Sequence, residues 1–360
     1  TELFDGLYHN RYDGRQWSGR DTYAGRLSGK FQLADNLQLT LRADYSKFKG
    51  DGWANYELLP ETVTGTRFQT YQTRLGGRLP DLNPYDRTFN QYADGNLNDR
   101  QWGLSSDISL DLPPGFTFRL LNGYRSWKNE NYLADIVWTP IRALGLLQGY
   151  NSKSHSHELQ FISPQDELLD GKLDFVAGLY YFEEKYKIDE KFSFLDQFCN
   201  FIPAIAAPAL VPGCLANPGL NATDLDFSQK VKSFAGYGQA TFAITDTIDL
   251  VGGARWTKEK KQGSHFQTVS NPAGVLLRGP EATNLRFTDD QPTWRMGLNW
   301  RPTDDHLIFA SYSTGYKSGG FNSGGNNVAL GQRRIFESEK VKNYEAGVKT
   351  SWLDRSLIFN

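Results

Sequence analysis

The sequence predicts an all-β protein: an incomplete, antiparallel, up-and-down transmembrane β-barrel of about 12–13 strands, forming an open curved sheet with short periplasmic turns and long extracellular loops. Three observations carry that expectation. Apolar and polar residues alternate with period two in many separate stretches, the connections between stretches alternate between short and long, and the composition is aromatic yet polar on average.

The alternation comes first because side chains on a strand point to opposite faces in turn. In LQLTLRADYSK, Leu37, Leu39, Leu41, Ala43 and Tyr45 share one face, while Gln38, Thr40, Arg42, Asp44 and Ser46 take the other. Upstream, Tyr23, Leu27, Phe31 and Leu33 oppose Arg26, Ser28, Lys30 and Gln32. The pattern returns at Leu104 to Leu112, Phe116 to Tyr124, Leu173 to Tyr181 and Ile248 to Trp256. It is sharpest in TWRMGLNWR, where Trp294, Met296, Leu298 and Trp300 oppose Thr293, Arg295, Gly297, Asn299 and Arg301. One ten-residue alternation is weak evidence, but its recurrence along the whole chain is not.

Tight turns are expected at Ala34-Asp35-Asn36, Pro113-Pro114-Gly115, Thr245-Asp246-Thr247, Pro302 to Asp305 and Leu353-Asp354-Arg355, all rich in turn-forming residues. Long loops are expected from Gly50 to Asn98, Asn129 to Lys153, Lys187 to Lys230, Gly263 to Asp290 and Gly315 to Phe336. Loops of that length are uncommon in compact soluble domains. In a membrane barrel they fall on one side and the short turns on the other.

Composition excludes several classes. Hydrophobic residues make up 39% of the 360 and mean hydropathy is -0.54, yet there are 23 Phe, 18 Tyr, 9 Trp and 35 Gly. That is too aromatic for disorder and too polar for an ordinary core. No apolar run of about eighteen residues is present, which excludes a transmembrane helix but not spanning strands. The first ten residues, TELFDGLYHN, do not resemble a secretion signal. With a net charge of -2 and no basic aromatic face, no nucleic-acid partner is expected. Cys199 and Cys214 lie in one Pro/Ala-rich stretch, and a disulfide closing that loop is expected in an oxidising compartment.

Tryptophan positions add depth. Trp300 and Trp352 lie next to expected periplasmic turns, and Trp256 and Trp294 lie eight or nine residues from theirs. At about 3.3 Å per residue and a tilt near 40°, eight residues climb roughly 20 Å, close to the height of an apolar band. Strands can cross lipid only if every backbone group is paired, so the polar face must line a lumen. Arg26, Lys30, Arg42, Asp107, Arg119, Arg125, Arg255, Glu259 and Arg295 stand on that face.

Specific strings then resemble a known family. ASYSTGYKSGGFN (Ala310 to Asn322) with ESEKVKNYEAGVKTSWLDRSLIFN (Glu337 to Asn360) is similar to paired strands of TonB-dependent outer-membrane receptors. SHELQFIS, VAGLYYF and FAGYGQATFAITDTIDLVGGARWTKEK resemble upstream strands of the same barrels. The resemblance implies a 22-stranded barrel holding an N-terminal plug, in the bacterial outer membrane, importing a scarce ligand. Residues 1–360 are then expected to be a partial barrel domain with the plug absent and roughly nine strands missing. The implied partners are the TonB energy-transducing complex through the missing N-terminal part, outer-membrane lipid and lipopolysaccharide, and a small-molecule ligand, a ferric siderophore first and a glycan next.

Barrels of this kind do no covalent chemistry, and the chain shows no phosphate loop, zinc motif or nucleophile elbow. No catalytic residue, cofactor or metal is expected. Ligand contacts are expected from Trp53, Arg67, Tyr71 and Arg74 in the first long loop, where guanidiniums can pair with carboxylates and aromatics can cover planar rings. Tyr316, Lys317, Phe321 and Asn322 offer aromatic, cationic and polar groups in a second. A solvated loop and a structural strand end are the plainer alternatives for these two sets. His155 and His157 share a strand face, but no metal is assigned to them. A passive channel or adhesin barrel, and a soluble carbohydrate-binding β protein, are the rival functions.

Overall fold

The computed structural model describes residues 2–51, 85–92, 95–133, 140–217, 221–324, 331 and 333–360. Trp53, Arg67, Tyr71 and Arg74 lie outside the described residues. The main sheet has 13 strands in chain order: β1 (Glu2–Phe4), β4 (Arg20–Ala34), β5 (Leu37–Gly50), β7 (Asn96–Leu112), β8 (Phe116–Leu133), β9 (Leu144–Ile162), β10 (Leu173–Phe194), β11 (Asn221–Thr245), β12 (Ile248–Val269), β13 (Glu281–Thr303), β14 (His306–Lys317), β17 (Glu339–Trp352) and β18 (Leu357–Phe359). Each pairs antiparallel with its neighbours, and the sheet is open between β1 and β18. Two small sheets stand at the long-loop end. They are β2 (Tyr8–Asn10) with β3 (Gln16–Trp17) and β6 (Thr88–Phe89), and β15 (Gly320–Phe321) with β16 (Ile335–Phe336).

The short turns fall where the turn-forming residues predict, at Asp35-Asn36, Pro113 to Gly115, Asp246-Thr247, Asp304-Asp305 and Leu353 to Ser356. A sixth connection at this end, Ser163 to Lys172, has no alternation to announce it; Asp166, Leu169, Asp170 and Gly171 turn the chain with positive φ. The long connections are shorter than expected because the strands continue. β10 runs to Phe194 and β11 begins at Asn221, inside the stretch from Lys187 to Lys230; β12 and β13 likewise extend to Val269 and from Glu281. These extensions look like loop in the sequence because, beyond the apolar band, the outward row turns polar.

Where the alternating rows point decides the architecture. The apolar residues of each strand share one outward face, and no second layer among the described residues covers it. Leu27 is 76% exposed, Leu179 50%, Met296 54% and Trp294 42%. The opposite face is a wall of paired polar groups. Arg119 donates to both carboxylate oxygens of Asp107 at 2.9 and 2.6 Å, Arg125 reaches Asp44 at 3.1 Å, and Arg301 pairs with Asp249. Arg255 stacks over Tyr180 and Tyr237.

Nearer the long-loop end the apolar row changes hands. On β10 the outward residues Leu173 to Tyr181 are odd-numbered, whereas Tyr186, Ile188, Phe192 and Phe194 are even-numbered and face inward. On β11 the outward Phe242 and Phe234 give way to the inward Val231, Phe227 and Leu225. β9 and β13 switch likewise, to Tyr150 and Leu144 and to Phe287 and Leu285. The switch marks where the solvent outside changes from acyl chains to water.

All three buried apolar clusters among the described residues lie beyond that switch. The largest joins Leu144, Leu146, Phe192 and Phe194 to a loop that folds back over the wall, with the helix Phe198–Ala206 and the short helix Val211–Leu215. Phe198 and Phe201 are fully buried there, each contributing about 1.5–3 kcal/mol. Cys199 and Cys214 form a disulfide across the two helices, with Cα atoms 5.7 Å apart. Closing a loop of this length stabilises by roughly 3 kcal/mol. Cys214→Ser is therefore expected to speed amide exchange in Phe198–Ala206 by about two orders of magnitude. Exchange in β10 around Tyr181 should stay unchanged, and equal exchange in both variants would remove the disulfide from the loop's stability.

Candidate functional site

The strands that carry the row switch build a concave inner wall at the long-loop end, and the stretches from Ser318 to Gly324 and from Arg333 to Ser338 fold onto it. Phe321 is 8% exposed, packed with Ile188, Phe227 and Leu285 and flanked by Tyr150, Tyr186, Phe287 and Ile335. This close approach needs Gly263, where a β-carbon would meet the carbonyl of Ser228 and crowd the Phe321 ring. Lys261 donates to the carbonyl of Gly319 at 2.6 Å and pairs with Glu259 at 2.9 Å. Ser338 donates to Asp289 at 2.5 Å.

A buried ion pair locks the segment. Arg334, 3% exposed, forks onto both carboxylate oxygens of Glu281 and donates to the carbonyls of Asn322 at 2.8 Å and Gly324 at 3.2 Å. Beside it His265 is 1% exposed, and both its ring nitrogens lack a hydrogen-bond partner in the structure. His265 stands nine residues beyond Trp256, outside the lipid-facing band. Burial, then the Arg334 guanidinium, push its pKa down to about 4. The unfolded imidazole takes its proton near pH 6.5, so between about 6.5 and 4 the unfolded state binds more protons. The cluster keeps its full stability above that window and loses it as pH falls through it. Glu281, held below the usual carboxylate range chiefly by its hydrogen bond from Arg334, loses its contribution at still lower pH. Proteolytic protection around Arg334 is therefore expected to fall between pH 6.5 and 4, with a smaller fall in His265→Gln.

A second buried pair, Arg278 with Glu190, stands over Phe192, with Gln148 donating to the same carboxylate. Trp127 and Asn129 both donate to Asp99, at 2.7 and 2.8 Å, and Trp127 stacks on Tyr150. The wall thus offers aromatic faces and fixed charges at a mouth, a surface for gripping a polar, planar or anionic solute.

Of the residues singled out in the sequence, Tyr316 stands beside Thr257, and Lys317 is exposed at the end of β14. Phe321 is packed away under its loop, and Asn322 meets Arg334 through its backbone. Periodicity alone did not single out Tyr150, Tyr186, Phe287 or the Arg334–Glu281 pair. The signal for the aromatics was the change of row on β9, β10 and β13. His155 and His157 lie on the outward face, with Glu183 opposite His155 but engaged by Lys230 and Tyr181. No group of three or more His, Cys, Asp or Glu able to hold a metal ion occurs among the described residues.

An open antiparallel sheet with an uncovered apolar outer face, a charged inner face and loops folded into one end is the wall of an outer-membrane barrel receptor. The family model "TonB dependent receptor-like, beta-barrel" matches residues 52–360, and the chain belongs to that family of bacterial outer-membrane proteins. The pesticin receptor of Yersinia pestis is 27% identical over 126 residues, 35% of this chain and 17% of that protein. The probable TonB-dependent siderophore receptor PiuA of Acinetobacter baumannii is 27% identical over 135 residues, covering 37% and 17%. Among solved structures, the ferric yersiniabactin uptake receptor FyuA of Yersinia pestis superposes with a TM-score of 0.70 at 15% identity, over 98% of this chain and 46% of that one. The siderophore receptor PiuA from Acinetobacter baumannii gives 0.65 at 16% identity, over 95% and 49%. This chain spans less than half the length of either structure. These neighbours are receptors, not enzymes.

Proposed function

We propose that this chain is barrel wall from a receptor that takes up a scarce ligand across the outer membrane, a ferric siderophore or related iron complex. The observation that carries the reading is the inner mouth, where Tyr150, Tyr186 and Phe287 stand among Lys261, Glu259 and the Arg334–Glu281 pair. The family match and the siderophore receptors among its relatives support it. In this reading residues 1–360 supply wall alone, the plug and remaining strands come from sequence outside them, and TonB energises uptake through the plug side. Lys317 and Tyr316 contact the ligand, and Trp53, Arg67, Tyr71 and Arg74, outside the described residues, are further ligand contacts in this reading. Phe321 and Asn322 shape the mouth by holding their loop down. The protein does no covalent chemistry.

Deletion of the full-length gene is expected to impair growth under iron limitation and abolish uptake of at least one radiolabelled ferric chelate. Restoring it with Tyr186→Ala should return the protein to the membrane but leave chelate affinity reduced about tenfold. Unchanged iron uptake in the deletion, with loss of some sugar instead, would overturn the iron assignment.

A further inference from the structure

The inner wall at the mouth carries its charges unevenly. Three of its cations are spent on carboxylates of the wall itself: Lys261 on Glu259, Arg278 on Glu190 and Arg334 on Glu281. Asp99 on β7 and Glu184 on β10 make no ion pair among the described residues. Trp127 and Asn129 both donate to Oδ2 of Asp99, and Ser152 donates to Oε1 of Glu184 at 2.7 Å. One oxygen of each carboxylate is thus left without a hydrogen bond among the described residues. Arg125, on the inward row of β8, is engaged by Asp44 and Gln101. Lys128, Lys153 and Lys185 stand on the outward rows of β8, β9 and β10, facing away from the mouth.

Between these two carboxylates lie aromatic faces. Trp127, Ser152 and Tyr186 are direct cross-strand partners on β8, β9 and β10, and Trp127 stacks on Tyr150 with ring centroids 5.9 Å apart. Asp99 holds the indole N–H of Trp127, and Glu184 is two residues from Tyr186 on the same face. Two residues beyond Asn129, the side-chain oxygen of Asn131 is buried with no hydrogen-bond partner. Ring faces attract cations, and a carboxylate oxygen beside a ring accepts a strong hydrogen bond from a charged donor. An anionic group here would meet two carboxylates and the negative faces of three rings, all of which repel it.

We propose that the solute taken in at this mouth carries a protonated amine, received on the wall of β7 to β10. The rings of Trp127, Tyr150 and Tyr186 cover the ammonium group, and the free oxygens of Asp99 and Glu184 accept its N–H bonds. The inference rests on reading the mouth as the ligand's entrance, and it narrows the ligand from chelates in general to those with a cationic tail. The neutral donors on Asp99 and Glu184 fix the direction of each carboxylate without cancelling its charge, which leaves the counter-charge to the solute.

The test is isothermal titration calorimetry on the full-length receptor in detergent. Three ferric chelates share one linear trihydroxamate and differ only in the tail: a free amine, its N-acetyl form and its N-succinyl form. Two iron-free probes, fully deacetylated chitobiose and N-acetylated chitobiose, are run beside them. Wild type is expected to bind the amine chelate about tenfold more tightly than the acetyl form and to bind the succinyl form most weakly. The double variant Asp99→Asn, Glu184→Gln, which keeps acceptors for Trp127 and Ser152, should erase the difference between amine and acetyl chelates. The wild-type ranking stands without any variant. Succinyl chelate bound as tightly as the amine chelate, or a preference unchanged in the double variant, would overturn the inference while leaving an iron receptor in place. Chelates left unbound while deacetylated chitobiose binds better than its acetylated form would sink the iron assignment and keep the cation site. Binding of neither cationic probe would overturn both.

Discussion

Arginine at position 179 is expected to cripple the barrel. Leu179 lies mid-strand on the outward row of β10, 50% exposed and covered by nothing among the described residues. On a water-facing surface a polar replacement at so exposed a site changes stability by at most about 0.5 kcal/mol. Facing acyl chains, a cation near the midplane costs about 2–4 kcal/mol. Leu179→Arg should therefore lower the urea midpoint in lipid vesicles strongly and deplete assembled receptor from the outer membrane. Thr241→Arg, on the inward row of β11 across from Asp174, adds the same charge to a wet wall and should stay near wild type. Equal behaviour of the two variants would mean that the rows do not separate lipid from water.

The second large effect is expected at Arg334. Removing its side chain leaves the Glu281 carboxylate buried without its counter-charge, and two carbonyls lose a donor. Breaking one side of a buried pair costs about 3–5 kcal/mol. The loss should be local, because the barrel strands keep their ladders. In Arg334→Ala, amide exchange at Gly320-Phe321 and Ile335-Phe336 should rise by two orders of magnitude or more, while exchange in β12 around Trp256 holds. Glu281→Gln, which keeps a hydrogen-bond acceptor, should do less damage. Unaltered exchange in β15 and β16 would show that packing of Phe321 alone holds the segment.

The strands inside the apolar band were legible because two solvents write two rows. TWRMGLNWR alternates from end to end, and β13 carries it as read. Legibility failed where that contrast stopped. Beyond Tyr181 the outward row of β10 reads Glu183, Lys185, Lys187, which in sequence looks like loop, although the strand runs on to Phe194. The inward aromatics there carry the opposite parity, and a single-phase template cannot follow a row that changes sides. The Ser163 to Lys172 turn was missed for a simpler reason, since Asp166, Leu169 and Asp170 bend the chain through backbone angles that leave no periodicity. Tyr316, Lys317, Phe321 and Asn322 were visible as a rich string, but their division into exposed and packed members depends on Gly263 and Arg334, remote in sequence. The Arg334–Glu281 pair, 53 residues apart, left no local trace.

The central claim is that the apolar row touches acyl chains while its partner row lines water. Its most direct measurement is spin-label accessibility in the full-length receptor reconstituted into bilayers, with single cysteines scanned along β10 from Leu173 to Tyr181 in a background lacking Cys199 and Cys214. The odd positions should relax with oxygen, which concentrates in lipid, and the even positions with a water-soluble nickel chelate, alternating residue by residue. Odd positions shielded from both reagents would place those side chains in a dry protein interior and contradict the account.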